Sequence, residues 1–205
     1  MTTLTIEASY EAAIAREWGR LARPGTWFTG PQRLAIARQA RAAVAEEPVE
    51  TPQITETVIT AARAIAATPS DIRASDVQGL FQQGLAGAEY IEILGIVARL
   101  RAVDTFEFGM GTFPRALPLP IDGEPSRTLV AEAKLDGGWA PTVGAAFPTT
   151  ALSAVPPENE GMEDIAGAFY ISITEMADLG IVRGLQRDQM EVVAARTSLI
   201  NDCFF

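Results

Sequence analysis

Residues 88–109, AEYIEILGIVARLRAVDTFEFG, decide the fold class of this chain. Apolar residues recur along this stretch at helical spacing and leave few polar faces. A helix that is apolar nearly all round lies buried at the centre of a protein. We therefore expect one long central helix with the rest of the chain packed around it. The apolar residues of this pattern are Tyr90, Ile91, Ile93, Leu94, Ile96, Val97, Leu100, Val103 and Phe106.

Helical periodicity also runs through the segments on both sides of this stretch. The alanine-rich composition favours helix, because alanine has the highest helix propensity. Thr29 precedes Gly30-Pro31, and Thr51 directly precedes Pro52. A capping hydroxyl just ahead of a proline is a typical helix start. No strand pattern stands out, so we predict an all-α protein. The further predicted helices cover residues 6–21, 29–46, 51–68, 75–84, 162–178 and 187–205.

The helical pattern stops between about residues 111 and 160. This stretch holds eight prolines and several glycines, and both residue types interrupt helices. We expect a long irregular loop that wraps the surface or covers a partner, with Trp139 and Phe147 as apolar anchors. Residues 1–205 then form a single helical domain. Residues 29–38 and 185–196 share a turn, a polar lead-in and an apolar helix, which indicates either a duplicated helical unit or the common pattern of amphipathic helices.

Composition and charge exclude several classes of protein. The chain has 205 residues, with 16 Lys+Arg, 26 Asp+Glu and a formal net charge of −10. This acidic balance argues against nucleic-acid binding, which relies on basic surfaces. No run of eighteen apolar residues is present, so we expect no membrane-spanning helix. The N-terminus has neither the basic nor the apolar region of a signal peptide, so we expect a cytoplasmic protein.

Two residue counts restrict the chemistry. The chain has no histidine, which excludes a histidine general base, a Ser-His-Asp triad and a histidine-ligated metal. Its single cysteine, Cys203, excludes an intrachain disulfide and a cysteine-rich metal site. We therefore expect neither a metal nor a cofactor. The groups left for chemistry are carboxylates, Arg, Tyr, Ser/Thr, the backbone and the one thiol.

Charged residues stand among the apolar residues of the predicted central helix. Two pairs of carboxylates are spaced three residues apart, so each pair can share a helix face. Such pairs can perform acid/base chemistry or bind a divalent metal. The simpler interpretation, which we favour, is a solvated helix edge or ion pairs with two arginines of the same helix. The pairs are Glu89 with Glu92 and Asp104 with Glu107, and the arginines are Arg99 and Arg101.

Two tyrosines are further candidates for a binding role. The hydroxyl groups of Tyr90 and Tyr170 can orient a ligand. Both residues stand among apolar neighbours in the sequence, so we favour core positions for them.

The last predicted helix carries the spacing of a redox motif. Glu191 and Cys203 are twelve residues apart, and the chain reads Asn-Asp-Cys-Phe-Phe over 201–205. Together with TGPQRLAIA (29–37), EYIEILGIVA (89–98) and QMEVVAAR (189–196), this spacing resembles the alkylhydroperoxidase D (AhpD)-like, carboxymuconolactone decarboxylase superfamily, in its peroxidase-related branch. The motif of that family is a Glu, twelve residues later Cys-x-x-Cys, and then x-x-x-His.

The resemblance implies an AhpD-like helical bundle and a thiol or selenol peroxidase or disulfide oxidoreductase. The second Cys of the motif, or a selenocysteine there, would attack the peroxide and become a sulfenic or selenenic acid. Cys203 would be the resolving thiol, and Glu191 would relay protons through the histidine of the motif. On a straight helix, twelve residues span about 18 Å, so contact between the two needs a bend. The implied partners are a peroxide, a thiol reductant and further copies in a homo-oligomer, dimer or larger.

The sequence departs from the family motif at its end. The second Cys would be position 206 and the His position 210, and both lie beyond Phe205. Because UGA encodes either selenocysteine or a stop, we expect a chain cut short within the motif, with selenocysteine as the specific hypothesis. A frameshift, a deliberately shortened chain and a genuine stop are the alternatives. We expect little or no peroxidase activity from the chain as it stands.

Two other functions stay open on the sequence alone. One is a non-redox protein similar to carboxymuconolactone decarboxylase that binds a small acid between subunits, which the lack of histidine disfavours. The other is a non-enzymatic oligomerisation module whose apolar helices pair with a second copy.

Overall fold

A computed structural model of the chain describes residues 6–201 and has an all-α fold, as predicted. Three short 3-10 turns, at Pro69–Asp71, Pro148–Thr150 and Ile173–Glu175, supplement the α-helices of this part of the chain. Those α-helices are α1 (Ala8–Ala22), α2 (Gly30–Val44), α3 (Glu56–Ala67), α4 (Ala74–Gln82), α5 (Gly87–Gly109), α6 (Pro156–Phe169) and α7 (Arg187–Ile200).

Helix α5 is the central element of the fold. It packs against α2 and α3 on one side and against α1 and α6 on the other. Ile93 and Val97 belong to the core shared with α2 and α3, and Val103 belongs to the core shared with α1 and α6. All three side chains are fully buried. The prediction of a long buried helix over residues 88–109 is confirmed.

The two predicted threonine caps have different outcomes. Thr29 caps α2 as expected: its Oγ1 accepts the Gln32 N–H over 3.4 Å, and the Gln32 side chain accepts the Thr29 N–H over 2.9 Å. The prediction that Thr51 starts the third helix is wrong, because α3 follows Thr55 instead. Thr51 is buried, and its Oγ1 accepts a hydrogen bond from Gln39 Nε2 over 2.8 Å. This tertiary contact uses the hydroxyl that a helix cap would need.

The last third of the chain departs from the predicted boundaries. Helix α6 begins at Pro156, inside the stretch assigned to the loop, because a proline fits the first turn of a helix. It ends at Phe169, well before residue 178. An antiparallel pair of two-residue strands, β1 (Val182–Arg183) and β2 (Leu185–Gln186), then turns at Gly184 and leads into α7.

The segment between α5 and the Pro148–Thr150 turn is irregular, as predicted, but it is held differently. Ile121 and Arg127 donate main-chain hydrogen bonds of 2.8 and 2.9 Å to the turn at residues 22–26. Trp139 is 47% exposed and Phe147 is 60% exposed. The prediction that these two side chains anchor the loop on its own chain is therefore wrong, and the main chain attaches it instead. The alternative, a loop that covers a partner, stays a prediction.

Within residues 6–201, every helix is too short or too polar to cross a membrane. The helical parts of the internal echo lie in α2 and α7, whereas residues 185–186 form β2, and an origin by duplication stays a prediction.

Candidate functional site

Glu191, the carboxylate predicted from the redox spacing, lies on the first half of α7. The Tyr170 hydroxyl donates to Glu191 Oε1 over 2.7 Å, and Arg187 Nε donates to the same oxygen over 2.6 Å. Arg187 stands one helical turn before Glu191, and Tyr170 directly follows the last residue of α6. The second oxygen, Oε2, accepts no hydrogen bond from the described residues, and the side chain is half exposed.

The electrostatics of this group favour a charged carboxylate. The hydrogen bond from Tyr170 lowers the pKa of Glu191, and Arg187 lowers it further. The same bond raises the pKa of Tyr170, because the phenolate would face a carboxylate. Glu191 is therefore ionised at neutral pH and offers a free oxygen to a proton donor.

The other predicted catalytic residue, Cys203, lies outside the described residues 6–201. Its distance from Glu191 and its role as resolving thiol stay predictions. Of the two tyrosines, Tyr90 is buried, as favoured. Tyr170 is partly exposed, and its hydroxyl binds Glu191 rather than lying in the core.

A second cluster, which the sequence did not predict, lies inside the helical bundle. Arg33 of α2 donates from Nη1 to both Glu92 of α5 and Glu158 of α6, the latter over 2.7 Å. Arg99 of α5 donates from Nη2 to Glu158 over 2.5 Å and from Nε to Glu17 of α1 over 2.8 Å. All five residues are at most 2% exposed. Alternating charges thus join four helices in the interior.

The chain of charges continues from Glu17 to the surface. Arg20 donates to Glu17 over 3.3 Å and to Asp164 over 2.5 Å, and Arg16 binds Asp164 through two hydrogen bonds of 2.7 and 2.9 Å. Eight side chains are therefore linked in a row in which acids and bases alternate. With four carboxylates and four guanidinium groups, the formal charges of the row add up to zero. We name it the ion-pair chain: Glu92, Arg33, Glu158, Arg99, Glu17, Arg20, Asp164 and Arg16.

Glycines make room for the buried end of the ion-pair chain. A Cβ atom at Gly95 of α5 would lie 2.6 Å from Glu158 Oε2 and 2.8 Å from Glu158 Cβ. A Cβ atom at Gly161 of α6 would lie 3.0 Å from the Arg99 guanidinium. Real Cβ atoms essentially never approach other atoms as closely as at Gly95, so α5 needs glycine there, whereas a side chain at Gly161 would require the Arg99 guanidinium to shift.

The carboxylates of the ion-pair chain differ in how well their charge is stabilised. Burial raises the pKa of Glu92, since its one guanidinium partner is shared with Glu158. Burial also raises the pKa of Glu17. Burial alone would raise the pKa of Glu158 as well, but Arg33 and Arg99 together hold it below its usual value. Glu158 is thus the carboxylate on which the two buried arginines converge.

The paired carboxylates of α5 do not form the sites considered from the sequence. Glu92 and Glu107 are buried, and Glu89 instead accepts the Ala86 N–H at the start of the helix over 2.9 Å. The favoured solvated edge is therefore wrong for these buried groups. The predicted ion pairs with Arg99 and Arg101 are also wrong, because these carboxylates pair with arginines of other segments instead. The observed pairs are Glu92 with Arg33, Asp104 with Arg41 (2.7 Å) and Glu107 with Arg115 (2.6 Å).

Neither cluster has the composition of a metal centre. Within residues 6–201 no three residues of the types His, Cys, Asp and Glu come together in an arrangement that could hold a metal ion. In the ion-pair chain the side chains that separate the carboxylates are guanidinium groups, which repel a cation. The arrangement binds helices together, whereas the Glu191 carboxylate is open to proton transfer.

The comparisons with known proteins add no assignment: no family model, curated protein or solved structure matches the chain. A function for this chain is therefore inferred from the spacing of Glu191 and Cys203 and from the surroundings of Glu191. The buried charges were missed because their partners are far apart in sequence. One signal was present: Arg99 stands inside the most apolar stretch of the chain, where a charge must find a buried partner.

Proposed function

We propose that this chain is the scaffold of an AhpD-like thiol or selenol peroxidase or disulfide oxidoreductase. In this proposal Glu191 accepts a proton during catalysis and Cys203 is the resolving thiol. The observation that supports it best is the state of Glu191: a charged, half-exposed carboxylate held by Tyr170 and Arg187 with one oxygen free. A general base has to be unprotonated before the step and within hydrogen-bond reach of the proton donor.

The proposed chemistry uses a second thiol or selenol after Cys203. Glu191, through the histidine of the motif, takes up the proton of that thiol or selenol, and the resulting anion attacks one peroxide oxygen. The O–O bond breaks, the sulfur or selenium becomes a sulfenic or selenenic acid, and the alkoxide or hydroxide receives the same proton and leaves as the alcohol or water. The Cys203 thiolate then attacks that atom and expels water, which forms a disulfide or selenylsulfide. Two thiols of an external reductant restore the starting state and leave as a disulfide.

The test completes the motif and measures turnover. In an extended chain, one cysteine directly follows Phe205 and a histidine follows four residues later. We expect this chain to reduce tert-butyl hydroperoxide with dithiothreitol, and the chain as it stands to be weakly active or inactive. In the extended chain, Cys203→Ser should abolish turnover and Glu191→Gln should lower it about 100-fold. Glu160→Gln, an exposed carboxylate on α6, is the control for Glu191→Gln.

Two results would contradict the proposal. One is an extended chain that turns over peroxide no faster than the unextended chain. The other is turnover that responds equally to Glu191→Gln and to the control.

A specific observation favours a second candidate, a homo-oligomeric helical module. Several apolar side chains of α7 face solvent: Val192 is 69% exposed, Leu199 is 71% exposed and Ile200 is 69% exposed. A contiguous exposed apolar surface marks an interaction site more often than a free surface. Sedimentation of the purified chain tests this candidate: a monomer at every concentration would exclude it. The two candidates are compatible, because an enzyme can also be an oligomer.

A further inference from the structure

The apolar face of α7 points away from the rest of its own chain. Met190, the one α7 residue classed as buried, lies about 160° around the helix from Val192. Val192 and Leu199 lie on nearly the same line along the helix, because seven residues make about two turns. A helix normally turns its apolar side toward its own core. The exposed side of α7 is therefore built to pack against another surface.

The residues on this face have a symmetric order about Val192. Asp188 stands four residues before it and Arg196 four residues after it, each about 6 Å away along the axis. Leu185, in the strand just ahead of α7, stands seven residues before Val192, and Leu199 stands seven residues after it. Both leucines are exposed. The order along this face is Leu, Asp, Val, Arg, Leu. When a second copy lies antiparallel to the first, the acid of each copy therefore lies opposite the base of the other.

The two charges of this face are free to bind a partner. Arg196 makes no hydrogen bond or ion pair with any residue of the described range 6–201. Within the same range, the Asp188 carboxylate accepts only the neighbouring Gln189 N–H, over 2.9 Å. By contrast, Glu191 and Arg187, on the other side of α7, are bound to each other.

We propose that α7 packs antiparallel against α7 of a second copy of this chain, about a two-fold axis at Val192. Asp188 faces Arg196 of the partner subunit, and Arg196 faces Asp188 of the partner subunit. Val192 meets its own counterpart on the axis, and Leu199 meets Leu185 of the partner subunit. A two-fold interface needs such self-complementarity, because each contact occurs twice.

The charges favour a second copy over a membrane surface. Helices that bind membrane surfaces flank their apolar face with several Lys or Arg residues, which attract anionic lipids. The face of α7 instead carries one acid and one base at equal distances from Val192, and the whole chain has a net charge of −10. The inference deepens the oligomer candidate above and does not depend on thiol chemistry.

The test exchanges the two charges and measures the dissociation constant of the dimer by sedimentation. All variants carry Cys203→Ser, so that no intermolecular disulfide forms. Arg196→Asp places two acids opposite each other at two symmetric positions, and Asp188→Arg does the same with two bases. We expect each single change to raise the dissociation constant by about tenfold. The double exchange, Asp188→Arg with Arg196→Asp, should restore it.

Arg23→Asp is the control for charge alone, since Arg23 is exposed and lies outside this face. It should leave the dissociation constant unchanged. Circular dichroism checks that each variant keeps its helical content. A monomeric parent chain, or a double exchange that stays as weak as the single changes, would overturn the proposal.

A crosslinking variant tests the register without depending on affinity. In the Cys203→Ser background, Val192→Cys places a thiol on the proposed axis, where mild oxidation should join two copies. Thr197→Cys places an exposed thiol about 140° around the same helix. The Thr197 variant should crosslink at least tenfold more slowly. Equal crosslinking of the two variants would mean that the copies do not meet at Val192. These measurements do not use Cys203 or peroxide reduction. The absence of a dimer would therefore leave the peroxidase proposal unaffected.

Discussion

Arg99 donates two hydrogen bonds to Glu158: one from Nη2 to the carboxylate over 2.5 Å, and one from Nη1 to the main-chain carbonyl over 2.9 Å. Both residues are essentially without solvent exposure. The contact joins the central helix α5 to the first turn of α6. Because Glu158 also binds Arg33 of α2, one carboxylate fixes the positions of three helices.

Removing that carboxylate should destabilise the fold strongly. Glu158→Gln keeps the shape of the side chain but leaves Arg33 and Arg99 without their common counter-charge. Breaking one partner of a buried ion pair costs about 3–5 kcal/mol, and we expect a loss of this size in the free energy of unfolding in urea. Glu160→Gln, two residues along α6 and exposed, should change it by less than about 0.5 kcal/mol. Similar losses in the two variants would contradict the role of Glu158.

Glu92→Gln should cost less than Glu158→Gln. Burial raises the pKa of Glu92, so its charged form is the less stabilised of the two. A raised folded-state pKa means that this group adds stability below its unfolded pKa, and that the contribution is lost as pH rises through the folded value. An amide, which is always neutral, can still accept the Trp27 N–H that Glu92 Oε2 accepts over 2.6 Å. Urea unfolding of both variants at neutral pH measures the order, and the reverse order would refute it.

A methyl group at Gly95 should disturb the contact between Arg99 and Glu158. The added Cβ would approach Glu158 Cβ to 2.8 Å, and that atom cannot swing away as a side-chain tip can. We expect Gly95→Ala to lower the free energy of unfolding by about 1–3 kcal/mol, as overpacking does in other cores. Gly19→Ala in α1 meets no atom within 4 Å and should raise stability by about 0.5–1 kcal/mol, because alanine favours helix. Opposite signs for the two variants are the decisive result.

Asp164, at the surface end of the ion-pair chain, should make the free energy of unfolding depend on pH under acidic conditions. Hydrogen bonds from Arg16 and then from Arg20 lower the pKa of Asp164 from 3.8 to about 2. A lowered folded-state pKa adds stability above the unfolded value, and this contribution is lost as pH falls from 3.8 toward about 2. Asp164→Asn should therefore flatten the curve of unfolding free energy against pH in that window. Asp71→Asn, an exposed acid outside the ion-pair chain, should leave the slope unchanged.

The sequence predicts the helices better than it predicts their boundaries or their contacts. The period of residues 88–109 identifies α5 because burial on all sides needs an apolar surface on all sides. Thr51 ahead of Pro52 has the pattern of a helix start, but its hydroxyl binds Gln39 and the helix begins after Thr55. That contact spans twelve residues and belongs to the folded state, so no local pattern contains it.

The buried charges show the same limit more strongly. Arg33 and Glu158 are 125 residues apart, and Arg99 and Glu17 are 82 residues apart. Spacing along one helix reveals only partners three or four residues away, which is why the arginines of α5 itself were the expected partners. The spacing of Glu191 and Cys203 marked α7 as a candidate site, yet the Tyr170 contact with Glu191 depends on how α6 ends relative to α7.

Removing the Tyr170 hydroxyl should raise the pKa of Glu191. That hydroxyl is the main group that holds this pKa below its usual value, and Arg187 remains in the variant. Titration of the Glu191 side-chain carboxyl by NMR should therefore show a higher midpoint in Tyr170→Phe than in the parent chain. Tyr10→Phe is the matched control, since the Tyr10 ring packs on Phe106 and Phe169 and its hydroxyl is not among the groups that donate to Glu191. An unchanged midpoint in Tyr170→Phe would mean that the hydroxyl does not lower the pKa of Glu191.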